Sequence, residues 1–244
     1  MPKSLTTAAM LLALATACAP ALHAFTITPV YAIPEAWSAQ EQAVIGRAIS
    51  DWTGSLAFNN GNQQNININF YRVTAPTSAF LANWQFGGVV PTSYPYSPGI
   101  VHSVYVNDAF APLFSANLDP TPDPNAYDFL TIIRHELGHA LGFTDRIYLD
   151  NGTDRWTSHI TDYVFDPGGL NVPMRQIDGI HVDLPDDLMY YQLPKGIRKD
   201  ISPTDLAMLS LAYGFTPLVP IPEPASLPLL AAATLLLTRR RARG

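Results

Sequence analysis

The sequence predicts an α+β domain: strands and two helices over the first half, then an irregular stretch closed by a C-terminal helix. Three observations carry that expectation. Short segments alternating in hydrophobicity are interleaved with capped helical stretches over the first half. A second helical stretch runs up to Gly142. Beyond it, Phe143 to Asp200 is rich in Asp, Pro and Gly and shows little periodicity until a final capped helix begins at Ser202.

Phe25 to Val30 alternates Phe and Ile with Thr, as a first strand does. Ser38 with Glu41 three residues on forms a capping box, and Val44, Ile45, Ala48, Ile49 and Trp52 then fall on one helical face. Asn65 to Val73 alternates Asn with Ile66, Ile68 and Phe70, and Val101 to Val106 is a further strand candidate. Asn125 and Asp128 can cap a helix running to about Leu141. Ser202, Pro203 and Asp205 open the last helix, which bears Leu206, Leu209 and Tyr213 and stops at Gly214. No internal repeat and no long linker divides residues 25–216, so a single domain is expected.

The 244 residues carry 14 Lys and Arg against 20 Asp and Glu, with four of the Arg crowded into the last six residues. That leaves no basic surface for phosphates and excludes nucleic acid as a partner. The only cysteine, Cys18, lies in residues 1–24, which combine Lys3, an apolar stretch from Ala8 to Ala19 and small residues at Ala21 and Ala24. This is the pattern of a secretory signal peptide. With it removed, neither a disulfide nor a thiol nucleophile is available, so the chemistry must use His, carboxylates, hydroxyls or a metal.

The other end, residues 217–244, has Pro222-Glu223-Pro224, an apolar run from Ala225 to Thr238 and the cluster Arg239, Arg240 and Arg241. The apolar run is short for a stable membrane span of ~20 residues, and the cationic end is expected to stay in the cytoplasm. The order of these features resembles the PEP-CTERM sorting tail of Gram-negative bacteria. That resemblance implies transient membrane association, recognition by an exosortase-type sorting enzyme, and delivery to the cell envelope or beyond. A plain C-terminal anchor is the alternative.

Residues 135 to 145 read H-E-L-G-H-A-L-G-F-T-D. Four residues turn a helix by ~400°, so His135 and His139 project from one side about a turn apart, as two ligands of one metal must. Glu136 lies ~100° away from His135, able to reach a metal-bound water without joining the ligands. Phe129, Ile133, Leu137 and Ala140 form the opposite, apolar side. Gly142 can adopt the left-handed conformation that ends a helix and turn Asp145 back toward the same ion.

Extended to Gly142 and Asp145, the motif resembles the consensus of metzincin, matrixin-like zinc metalloproteases, with Asp145 in place of the usual third His. The resemblance implies a zincin-like fold, with a twisted mixed sheet and two helices above a zinc cleft and an irregular lower part with a C-terminal helix, and zinc held by His135, His139 and Asp145. It also implies a Met-containing turn beneath the metal, matched by Leu188-Met189-Tyr190-Tyr191, with Tyr191 where several families of the clan place a tyrosine that stabilises the developing oxyanion. The segment Ile201 to Gly214 resembles the closing helix of matrixin domains. The function implied is that of a secreted zinc endopeptidase acting on proteins or peptides, which hydrolyses them through a zinc-activated water with Glu136 as general base. A strand bordering the cleft, with His102 to Asn107 as the candidate, would align an extended peptide.

Two alternatives remain open at this point. An aspzincin-like peptidase would use a later Asp, and Asn151-Gly152-Thr153-Asp154 partly resembles that family's signature; a non-catalytic surface protein would keep the metal for stability. Asp119, Asp123, Asp150 and Asp154 sit in Gly- or Pro-bearing loops, as calcium ligands or as plain solvated turn residues. His102, His159 and His181 are isolated in sequence and read as surface or packed histidines.

Overall fold

In a computed structural model, the structure describes residues 25–58, 65–77, 80–87, 101–144, 160–161, 164–166, 169–176, 178 and 180–218. The signal segment, the C-terminal tail, Asp145, Asp150, Asp154 and His159 lie outside the described residues. The strands are β1 (Thr26–Tyr31), β2 (Leu56–Phe58), β3 (Asn65–Val73), β4 (Ala82–Gly87), β5 (Val101–Asn107), β6 (Phe114–Ser115), β7 (Tyr127–Asp128), β8 (Ile160–Thr161), β9 (Val164–Phe165), β10 (Val172–Pro173) and β11 (Phe215–Pro217). The helices are α1 (Ala39–Ser55), α2 (Phe129–Leu141) and α3 (Pro203–Tyr213).

The chain is thus mixed α+β, with a four-stranded mixed sheet in the order β1-β3-β5-β4. β1, β3 and β5 run parallel, and β4 is antiparallel to β5 on the outside. In β3 the alternation sets the faces: Ile66, Ile68 and Phe70 are buried against the helices while Asn65 and Asn67 are exposed. The expectation that the strand at His102 to Asn107 borders the cleft is corrected here. β5 pairs on both sides, and the edge is β4, whose A-N-W-Q-F-G sequence also alternates and was left unassigned by the sequence reading.

α1 begins where its capping box requires. Ser38 N–H donates to Glu41 Oε2 at 2.9 Å and Glu41 N–H to Ser38 Oγ at 3.2 Å. Its buried face of Val44, Ile45, Ala48 and Trp52 packs on the sheet and on α2, and a fully buried Val or Ile contributes about 1.5–3 kcal/mol. Trp52 Nε1 donates to Arg134 O at 2.9 Å, which pins α1 to α2 one residue before His135.

α2 is buried along its entire length. Asp128 caps it, accepting from Thr131 N–H at 3.0 Å, and also pairs with Arg198 at 2.7 Å. The Arg134 guanidinium, buried in the same helix, reaches Asp51 on α1 at 2.6 Å and Asp200 at 2.7 Å ahead of α3, so one cation ties three segments together. α3 starts with the Ser202–Asp205 capping box and ends at Gly214, whose φ of 73° and ψ of 25° are left-handed. Between α2 and α3 the described chain forms only two-residue strands and isolated bridges, as its composition leads one to expect.

Candidate metal centre

α2 presents His135 and His139 on one side, with ring centroids 4.8 Å apart and planes at 84°. A third imidazole joins them from the lower part. Val182 bridges to Met174 and to Tyr190, and its N–H donates to Met189 O at 3.0 Å, which carries the neighbouring His181 up to the helix. The His181 ring lies 5.3 Å from that of His135 and 4.9 Å from that of His139. One ring nitrogen from each of the three fits within 4.8 Å of the others, close enough to hold one metal ion.

The hydrogen bonds select which nitrogens these are. Nδ1 of His135 faces Leu188 O at 2.8 Å, Nδ1 of His139 faces Phe143 O, and Nδ1 of His181 faces Asp178 Oδ2 at 2.9 Å. With Nδ1 donating to an oxygen in each ring, Nε2 is the nitrogen that could ligate a metal, and the Nε2 atoms of His135 and His139 are 3.2 Å apart. Two unprotonated nitrogens at that separation favour a cation between them.

Electrostatics keeps the two rings of α2 neutral, as metal ligation requires. Burial, then the charges of His139 and His181, push His135 well below the usual histidine value, and burial and His181 bring His139 down to about 3. Although burial opposes ionisation of Asp178, hydrogen bonds from the His181 ring and from the N–H groups of Ile180 and His181 hold it well below the usual carboxylate range.

Glu136 is buried beside the histidines. Burial raises its carboxyl to about 8, against the pull of a hydrogen bond from the Trp84 N–H on β4. A divalent cation next to it would favour the carboxylate form instead. The Trp84 indole stacks 6.3 Å from the His139 ring and donates from Nε1 to His102 Nδ1 at 3.3 Å, so His102 is the packed histidine the sequence suggested.

Beneath the histidines lies Met189, fully buried. A Cβ built on Gly138, between the two ligands of α2, would stand 2.5 Å from Met189 Sδ, so the glycine lets the turn seat under the metal position. That turn is tightly held. Met189 N–H donates to Asp187 Oδ1 at 2.9 Å, Ser202 Oγ to Asp187 Oδ2 at 2.7 Å, and Lys199 Nζ to Pro185 O at 2.7 Å and Asp187 O at 2.9 Å. Gly142 terminates α2 with φ 148° and ψ −12°, a positive φ but not the left-handed helical conformation expected of it. A second reason for glycine emerges there. The Tyr213 hydroxyl donates to Gly142 O at 2.7 Å, and its ring lies 2.2 Å from where a Cβ would be.

The three histidines and Glu136 open into a cleft of about 880 Å³, walled by β4 on one side and by the 190–197 segment on the other. Tyr191 lines it at 36% exposure, with the Arg175 guanidinium 4.0 Å above its ring. Of the sequence-derived residues the structure thus unites His135, Glu136, His139, Met189 and Tyr191, while Asp145 falls outside the described residues. His181 corrects the reading of it as an isolated histidine. Its approach depends on the pairing of Val182 with Met189 and Tyr190, which no local spacing encodes. For calcium, the described loop carrying Asp119 offers carbonyls that are already engaged: Asn117 O and Asp119 O both accept from Arg198.

No family model matches this chain, and no curated protein matches it in sequence.

Proposed function

We propose that this protein is a zinc-dependent endopeptidase of the metzincin type, exported from the cell, with His135, His139 and His181 as the zinc ligands. The observation that supports it above all is the convergence of three imidazoles beside a buried glutamate at the rim of a cleft bordered by an edge strand. Three protein ligands with one position left over is the donor set of catalytic rather than structural zinc. Bound there, zinc supplies the Lewis acidity that activates water and polarises a carbonyl.

The protein's own residues do the rest. Glu136 takes the proton from the attacking water and delivers it to the departing amine. β4, antiparallel at the sheet edge, offers main-chain groups along which an extended peptide can lie, which fixes the scissile bond over the histidines. Tyr191 lines the same cleft, where its hydroxyl can donate to the negative oxygen of the tetrahedral intermediate. Met189 and Gly138 let α2 sit close upon the turn that orients His135 through Leu188 O.

The reading is tested by following peptide cleavage by the purified domain under chelation. Activity that stops on chelation and returns with zinc supports an enzyme. A protein that binds zinc tightly and gains stability from it, yet cleaves no member of a broad peptide library, would be the metal-stabilised surface protein instead.

A further inference from the structure

His135 and His139 share a helix whose geometry sets their separation, but His181 stands on chain without regular secondary structure. Something else must fix its ring. An imidazole turned over by half a rotation puts Cδ2 where Nδ1 was and Cε1 where Nε2 was, and the wrong tautomer offers a metal an N–H rather than a lone pair.

The chain around His181 is organised by one carboxylate. Asp178 Oδ1 accepts from the N–H groups of Ile180 at 3.1 Å and His181 at 3.2 Å, which shapes the backbone. Its Oδ2 accepts from His181 Nδ1 at 2.9 Å and from Arg175 Nη1 at 2.8 Å, which orients the ring. Arg175 is itself paired to this segment, its N–H donating to His181 O at 2.8 Å, and its guanidinium covers the Tyr191 ring. Ring, backbone and cleft-lining tyrosine are therefore referred to a single side chain.

We propose that Asp178 is a positioning residue for the third metal-binding histidine. It holds the His181 proton on Nδ1, turns Nε2 toward His135 and His139, and makes the imidazole a stronger ligand. Arg175 steadies the carboxylate and links it to Tyr191. The inference rests on the metal reading of the three histidines. Partners of this kind beyond the ligands are worth roughly 10–100-fold in metal affinity.

The two oxygens of Asp178 separate this role from that of a mere turn former. Asp178→Asn retains one carbonyl oxygen for the Ile180 and His181 N–H groups, but its amide nitrogen cannot accept from the His181 ring. Zinc affinity of the full domain is measured against a competing chelator, alongside the visible spectrum of the cobalt form and the thermal midpoint of the metal-free protein. The expected result for Asp178→Asn is affinity weaker by about 10–100-fold, an altered cobalt spectrum and an unchanged metal-free midpoint. Wild-type affinity in Asp178→Asn overturns the proposal.

If the midpoint falls as well, Asp178→Glu decides, because it keeps both acceptor oxygens. Affinity recovered in Asp178→Glu supports positioning, and affinity still lost at a wild-type midpoint counts against it. His181→Ala is run in parallel. If that variant holds zinc as the wild type does, the metal reading of His181 has failed, a result distinct from failure of Asp178 alone.

Discussion

The site is made from two regions that solve the same problem by different means. On α2, two proposed ligands and the proposed catalytic carboxylate are placed first by helical geometry, within a helix buried along its entire length. Across the cleft, the described residues between 174 and 199 have almost no regular structure, yet they deliver a third imidazole and the floor beneath it. There the geometry comes from side chains acting on backbone. Asp178 arranges the loop of His181, while Asp187 and Lys199 arrange the turn of Met189. A helix specifies position cheaply over a few residues, whereas an irregular segment must specify it by individual hydrogen bonds, each of which a single substitution can remove.

The largest expected effect lies on the helical side. Glu136→Gln should lower turnover by at least ~100-fold while zinc affinity and fold stay close to wild type. Activity within tenfold of the parent in a steady-state peptide assay would remove Glu136 from the proposed role.

The next contrast separates the two candidates for the third ligand. His181→Ala should weaken zinc binding by more than the 10–100-fold expected of an outer partner, and Asp145→Ala should change it little. The opposite ranking in chelator competition would restore Asp145 as ligand and leave His181 as a packed neighbour.

Stability should then rank the two glycines of α2. Gly142→Ala meets both a positive φ and the Tyr213 ring, whereas Gly138→Ala meets only the end of a methionine. Urea unfolding should show a loss of about 1–3 kcal/mol for Gly138→Ala and a larger one for Gly142→Ala. Equal losses would mean that Met189 is as fixed as the tyrosine.

The smallest effect concerns pH. Burial, and after it the negative Asp187, raise the Asp205 carboxyl well above its usual value. In the unfolded chain it titrates near ~3.9, so from about pH 4 up to its folded value the native state holds a proton that the unfolded state has lost. Stability must fall with rising pH across that window. In a Glu136→Gln background, which removes the other raised carboxyl, Asp205→Asn should flatten the dependence of the metal-free thermal midpoint on pH. An unchanged slope would show that Asp205 titrates normally.

What was legible in the sequence follows the same division. Both capping boxes, the alternation of β3 and the ends of α2 and α3 were readable because propensity and period act over a few residues. That His135 and His139 share one side of α2 was readable for the same reason, whereas Met189 came from the family resemblance and not from any local period. β4 carried a readable alternation, Ala82, Trp84 and Phe86 against Asn83 and Gln85, and its edge position was not deducible because strand order is a tertiary fact. His181 was misjudged for a deeper reason. The Asp178 three residues before it was a local hint, but the partner pairing that lifts it to α2 spans the turn at Met189.

Trp84 stands with its indole stacked near His139 and its main-chain N–H on Glu136. It is a chromophore set against the site. Trp52, by contrast, is sealed in the core with its indole nitrogen on Arg134 O. Were an ion to bind the three histidines, it should alter the emission of Trp84 more than that of Trp52, so that among the four tryptophans of the chain one would report occupancy without an attached dye.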